Sequence, residues 1–311
     1  MSQITNYIMM IEPVSFRYNE QTAENNYYQK VIEGLTPEST QAKALSEFTE
    51  FVDKLRSKGV NVIVVKDTDF PDTPDSIFPN NWVSFHQDGT VGLYPMCAEN
   101  RRAERREDIL DTLVDDYGFH IEEIKDFTEF EEHDKFLEGT GSLILDRENK
   151  ICYAAISIRT DEQAVLQFCD EFGYQPLCFG AYQNVGDERL PIYHTNVMMC
   201  VAKDFAIICL DTIDEKEERN QVIEMLEKTN KEIIEISEEQ KEHFAGNMLQ
   251  VMGDKPYLVM SKSAYTSLDK NQIEKIEQHC PILYSSLDTI EACGGGSARC
   301  MMAEIFLPQT K

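Results

Sequence analysis

The sequence predicts an α/β domain made of five repeats of one unit, a hairpin followed by a helix, closed around a common centre. Three observations predict it. A short polar or glycine-rich start, two short apolar runs parted by a turn, and a helical stretch recur along the chain. The starts fall roughly 50 to 60 residues apart, the scale of an array of supersecondary units. No Pro- or Ser-rich linker interrupts the 311 residues, and the hydrophobic 42% is spread along the whole length. Residues 1–311 therefore read as a single domain.

The first unit starts at Asn80-Asn81-Trp82. Its hairpin is Val83–His86, a Gln87-Asp88-Gly89 turn and Val91–Tyr94, and its helix runs from about Ala98 to Tyr117. The second starts at Glu138-Gly139-Thr140-Gly141, with strands Ser142–Leu145 and Ile151–Ala154 and a helix from about Asp161 to Phe172. The third starts at His194-Thr195-Asn196, with strands Val197–Cys200 and Phe205–Ile208 and a helix from about Glu215 to Thr229. The fourth starts at Gly246-Asn247, with strands Met248–Val251 and Tyr257–Met260 and a helix from about Leu268 to Cys280. The fifth is split between the chain ends. It takes the glycine run Gly294-Gly295-Gly296 and a strand from about Ala298 to Phe306. It is completed by the N-terminal strand Ile8–Ile11 and a helix from about Gln41 to Lys58.

Each hairpin must bury a face against its helix, so the units are expected to close on one centre. Closure gathers the starts: Asn81, Glu138, His194, Asn247 and Cys300 meet despite their separation in sequence. Three of these form a chemical set. Cys300 is a candidate nucleophile, and Arg299 beside it could favour the thiolate form. His194 is its candidate base. Glu138 is the candidate carboxylate that fixes the imidazole tautomer and steadies its charged form. Taken singly, each has a blander reading: a satisfied polar histidine, a turn glutamate, a core cysteine. Their coincidence at equivalent points of a repeat favours catalysis.

Asp75, in Pro74-Asp75-Ser76-Ile77-Phe78, reads as a turn aspartate or as a buried carboxylate gripping an N–H-rich group. Arg101 and Arg102 open the helix after Tyr94-Pro95-Met96, and Arg159 follows the Ile156–Ile158 strand. Guanidinium geometry suits bidentate capture of a carboxylate. Arg105 and Arg106 read as a solvated helix face.

Composition excludes several function classes. A net charge of −27 argues against nucleic acid and anionic membranes as partners. No apolar run approaches the roughly 20 residues that span a bilayer. The N-terminus Met1–Asn6 shows no basic region followed by an apolar stretch, so no secretory signal is expected. Nine cysteines without a C-x-x-C pattern fit a reducing compartment, and a cytoplasmic location is expected. No metal-ligand pattern is present, and the chemistry above needs neither a metal nor an organic cofactor. A small amino acid is the expected partner, and a homo-oligomer is compatible with the sequence.

These residues resemble the guanidine-modifying (pentein) superfamily of arginine deiminases, dimethylarginine dimethylaminohydrolases and amidinotransferases. The resemblance runs from Asp75 to Cys300 in five ordered segments. They are Pro74-Asp75-Ser76, Tyr94-Pro95-Met96 with Arg101-Arg102-Ala103-Glu104, Leu137-Glu138-Gly139 with Arg159-Thr160, His194-Thr195-Asn196, and Gly294 to Met301. It implies a five-bladed α/β propeller of pseudo-fivefold ββαβ units. It implies covalent catalysis by Cys300, His194 and Glu138, with Asp75, Asn196 and Asn81 at the substrate side chain and Arg159 and Arg101 or Arg102 at its carboxylate. Two departures matter. The family's Glu-Gly-Gly-Asp is Glu138-Gly139-Thr140-Gly141 here, and the aspartate two residues after the histidine is Asn196. An amide cannot supply a charge to a guanidinium but can donate to a carbonyl oxygen. The resemblance therefore points toward the citrulline-hydrolase branch, with arginine deiminase, an amidinotransferase and a catalytically silent binding module as alternatives.

Overall fold

The computed structural model describes residues 2–309. Each unit expected from the repeat folds as a three-stranded sheet with one strand order. The first two strands pair antiparallel, and a helical crossover returns the chain to a third strand parallel to the second. Val83–Phe85, Thr90–Leu93 and Glu123–Asp126 make the first sheet. Ile144–Asp146, Ile151–Ala155 and Gln175–Phe179 make the second. Met199–Val201, Phe205–Ile208 and Glu232–Glu235 make the third, and Leu249–Met252, Pro256–Ser261 and Ile282–Ser285 the fourth. The fifth joins the chain ends: Ala303–Glu304 pairs antiparallel with Tyr7–Glu12, which runs parallel to Asn61–Lys66. The result is a mixed α/β fold. Among the described residues the strands form separate sheets rather than one closed sheet, and Tyr182–Val185 and Glu188–Pro191 add a two-stranded hairpin.

The crossover helices form where the sequence gives them a cap and an apolar stripe. Pro37–Ser57 starts at Thr36, whose hydroxyl accepts from the Ser39 amide in a capping box, with Pro37 in the first turn. It buries Ala44, Phe48, Phe51, Val52 and Leu55 at helical spacing. Glu162–Phe172 is capped by Asp161 and ends at Gly173 in the left-handed conformation.

Two elements differ from the sequence reading. The expected helix from Ala98 to Tyr117 is broken into Glu99–Arg102 and Glu107–Asp115. The break lets Arg105 reach the Tyr94 carbonyl (3.0 Å) and Glu131, and lets Arg106 reach the Lys66 carbonyl (3.1 Å), so neither lies on a simple solvated face. The expected strand from Ala298 to Phe306 is extended only at Ala303–Glu304. Residues 297–302 turn instead, with the amides of Cys300, Met301 and Met302 donating to the carbonyls of Ser297, Ala298 and Arg299. That turn holds the Cys300 side chain at the centre rather than on a sheet face.

The unit starts interlock through glycines. A Cβ on Gly139, which has φ of +45°, would lie 2.3 Å from the Asn80 carbonyl oxygen. A Cβ on Gly246 would lie 2.3 Å from the Val197 carbonyl oxygen. No side chain fits either place, so backbone packs on backbone between neighbouring starts.

Candidate active site

Asp75, Asn81, Arg101, Arg159, His194 and Cys300 line one small cavity together with Gly294–Gly296. All six are buried. Asn81, His194 and Cys300 come from three unit starts, Arg101 from the short helix Glu99–Arg102, Arg159 from the turn before the helix Glu162–Phe172, and Asp75 from the segment before the first unit.

Glu138 and His194 form the best-defined pair. His194 Nε2 lies 2.8 Å from Glu138 Oε2, and the Cys97 amide donates to Glu138 Oε1 at 3.0 Å. Burial opposes ionisation of Glu138, but Arg159, His194 and Arg101 outweigh it and hold the carboxyl well below its usual range. Burial pulls His194 down to about 4, and the Glu138 bond only partly offsets this. At neutral pH the imidazole is therefore neutral, with its Nε2 proton on Glu138 and its Nδ1 lone pair free. A Cβ on residue 141 would fall 2.9 Å from that Nδ1 and 2.5 Å from Asn81 Nδ2, so Gly141 leaves the imidazole its room.

Cys300 sits on the turn after the glycine run. The helix Asp288–Gly294 ends with Gly295 at φ of +62°. Tyr193 Oη donates to the Gly295 carbonyl at 2.6 Å, and Gln29 Nε2 donates to the Gly294 carbonyl at 3.0 Å. Ser297 Oγ donates to Glu291, whose carboxyl burial lifts to about 7 against the bonds from Ser261 and Ser297. The arginine beside Cys300 does not bond the sulfur. Arg299 gives its guanidinium to the Met302 carbonyl (2.8 Å) and Glu304 (2.9 Å). Two amides reach the sulfur instead: Asn247 Nδ2 at 3.3 Å and Asn196 Nδ2 at 3.4 Å.

Asp75 Oδ2 accepts from Asn19 Nδ2 (2.8 Å) and Thr22 Oγ1 (2.9 Å). Its Oδ1 is buried with no hydrogen-bond partner among the described residues. Burial raises the Asp75 carboxyl, with Arg101 the largest opposing influence. A polar atom left unpaired in a cavity is a binding feature, because an N–H donor arriving there relieves a standing cost.

The arginines divide. Arg101 is tied to Glu104 by two bonds of 2.8 and 2.9 Å, to Asn81 Oδ1 at 2.8 Å and to the Phe78 carbonyl at 3.2 Å. Burial pushes the Glu104 carboxyl up, and Arg101 pulls against it. Arg159 gives Nε to Asn25 Oδ1 (2.6 Å), Nη2 to the Thr22 carbonyl (2.8 Å) and Nη1 to Glu138 (3.5 Å). Arg102 lies outside the cavity, on the Met96 carbonyl (3.1 Å) and Glu131 (3.5 Å). Asn196 is buried beside Cys300 rather than on the cavity wall, and its Oδ1 has no partner.

Sequence reasoning gave no role to the segment carrying Asn19, Thr22, Asn25, Asn26 and Gln29, which supplies part of the site. Only its unusual run of amides and hydroxyls before the first unit could have marked it. Among the described residues no three His, Cys, Asp or Glu side chains are placed to hold a metal, and no helix is long and apolar enough to cross a membrane.

A mixed α/β fold of repeated ββαβ sheets, with a cysteine, a histidine and a carboxylate drawn together from its unit starts, defines the guanidine-modifying (pentein) superfamily. Residues 12–307 match the family model described as N,N dimethylarginine dimethylhydrolase, eukaryotic, and the chain belongs to that family. No curated protein sequence matches it at a significant level. Among solved structures it is similar to ArgZ, an arginine dihydrolase from the ornithine–ammonia cycle in cyanobacteria. The identity is 19% and the TM-score 0.72, over 98% of this chain and 41% of that one, so the chain spans about two fifths of that protein. The N-terminal domain of ArgZ bound to product matches at 20% identity and TM-score 0.70, over 97% of this chain and 99% of that domain. A dimethylarginine dimethylaminohydrolase in an adduct with S-methyl-L-thiocitrulline matches at 15% and 0.65, over 96% and 99%. At these identities the likenesses show the fold.

Proposed function

We propose that the protein is a C–N hydrolase of a free amino acid with a ureido or guanidino side chain, and that citrulline is its substrate. One observation carries the reading. Cys300, His194 and Asp75, whose Oδ1 is buried without a partner among the described residues, line one small cavity, and this pairing of a nucleophile with an N–H acceptor supports the reading. Arg101 and Arg159 share the cavity wall with Asp75 but are already paired, with Glu104 and Glu138, so the choice of a neutral side chain rests on position 196. Asn196, where arginine deiminases carry an aspartate, adds no second negative charge.

The Cys300 thiol passes its proton to His194 Nδ1, and the thiolate attacks the ureido carbon. Glu138 steadies the imidazolium. His194 then protonates the leaving amine as the C–N bond breaks. His194 next takes a proton from water, which attacks the thioester-like carbon and expels the thiolate. With ornithine as the leaving amine, water releases carbamic acid from the S-carbamoyl cysteine, and its spontaneous breakdown gives ammonia and carbon dioxide. Arg159 and Arg101 are the groups proposed to hold the substrate carboxylate. For Arg159 this means exchanging the Thr22 carbonyl or Asn25 for substrate. We also infer that the five sheets are blades closed as a propeller. The interlocked glycine starts and the sheet joining the two chain ends support this.

The test is a parallel product assay with citrulline, arginine, agmatine and methylarginines, reading ammonia and ornithine. Ornithine from citrulline, lost in Cys300→Ala, is expected. Faster turnover of arginine would overturn the choice of citrulline. Agmatine as the best substrate would overturn the carboxylate role of Arg159 and Arg101.

A further inference from the structure

We infer that Asn247 is a positioning residue that steadies the Cys300 thiolate formed when its proton passes to His194, with Asn196 as the second arm of a two-amide cradle. The inference rests on the reading of Cys300 as nucleophile. Asn247 opens the fourth unit and, like Asn81 of the first, has no role in the proposed mechanism.

The orientation of its amide is fixed by its partners rather than by choice. Asn247 Oδ1 accepts the Arg299 backbone N–H at 3.0 Å. Nitrogen must then occupy the other position, where Nδ2 donates to the Asn196 carbonyl at 3.1 Å and to Cys300 Sγ at 3.3 Å. Asn196 Nδ2 meets the same sulfur at 3.4 Å. Both residues are buried, so water does not compete for the sulfur. A thiolate has lone pairs and no proton, so two N–H donors suit it better than they suit a thiol. The thiol has a weaker alternative, because Sγ lies 3.7 Å from Asn247 Oδ1, an oxygen that also accepts the Arg299 N–H.

The cradle explains one feature. The nucleophile of a chain with a net charge of −27 is served by neutral donors, because the neighbouring Arg299 is committed to Glu304.

The test is the pH profile of Cys300 alkylation by iodoacetamide, read site by site by mass spectrometry, in the wild-type chain and in Asn247→Ala, Asn247→Asp and Asn196→Ala. Losing one charge-assisted donor moves the profile midpoint up by about one to two pH units. Asn247→Asp adds a charge that raises the midpoint with or without a cradle. The deciding variant is therefore Asn247→Ala, which removes the donor and adds no charge, and the cradle requires its midpoint to rise. Asn196→Ala repeats the test from the other arm if Asn247→Ala does not fold. Unchanged profiles in both alanine variants would overturn the inference while leaving Cys300 as nucleophile. A wild-type Cys300 labelled no faster than the other eight cysteines would overturn both.

Discussion

Replacing Glu138 with glutamine isolates what the buried carboxylate does. Glu138 Oε2 lies 2.8 Å from His194 Nε2, 3.5 Å from Arg159 Nη1 and 3.8 Å from Arg101 Nη1. Glutamine keeps the shape and one acceptor but removes the charge. Arg101 retains Glu104, so the loss falls on Arg159 and on the imidazolium. Leaving a buried guanidinium short of its carboxylate costs about 3–5 kcal/mol. That is less than the roughly 5–15 kcal/mol that holds a typical domain, so the variant should fold at 25 °C with a lower Tm. A charge-assisted bond to the imidazolium is worth about 1.5–3 kcal/mol. At 1.36 kcal/mol per tenfold, kcat should fall about 10- to 150-fold. The pH dependence adds a sign. The Glu138 carboxyl is depressed in the fold, so its stabilisation is present above its ordinary value of 4.5 and is lost as pH falls below that. Urea denaturation between pH 3 and 8, with ammonia release from citrulline at pH 7.5, measures both effects. The wild-type chain should lose stability in acid more steeply than Glu138→Gln. Equal acid limbs together with an unchanged kcat would refute the reasoning.

Cys300→Ala should abolish turnover and leave the circular dichroism spectrum and Tm nearly unchanged, since only a small side chain is lost. Gly141→Ala places a Cβ 2.5 Å from Asn81 Nδ2 and 2.9 Å from His194 Nδ1. Overpacking of this kind costs about 1–3 kcal/mol, and kcat should fall by more than the loss of Tm suggests, because the imidazole is pushed off its line. Asp75→Asn should raise KM about tenfold or more by weakening the acceptor at Oδ1, and a KM equal to wild type would place substrate elsewhere. Glu291 is raised to about 7 by burial, so its stabilising contribution is full below 4.5 and is lost as pH rises through 7. Glu291→Gln should therefore gain stability relative to wild type between pH 5 and pH 8, by up to about 3 kcal/mol, measured by thermal denaturation.

By itself the sequence determined the repeat and the chemical set. Hairpin alternation, helix caps and glycine starts are local signals, and they mark five ββαβ units and place Asn81, Glu138, His194, Asn247 and Cys300 at equivalent points. Of those points Asn81, His194 and Cys300 line one cavity, with Glu138 bonded to His194 and Asn247 to Cys300. Tertiary structure alone decided which partners each group has. The bond from Asn19 to Asp75 and that from Arg159 to Asn25 join residues far apart in the chain, and no periodicity encodes them. The same holds for Arg299, which by sequence adjoins the nucleophile but by geometry serves Glu304, and for Asn247, whose amide is aimed at sulfur by a backbone N–H. Arg101 and Arg102 are indistinguishable as letters. The turn of the short helix buries one against Glu104 and leaves the other beside Glu131. Spacing along a chain specifies faces and repeats, whereas hydrogen-bond direction depends on angles that only the packed backbone fixes.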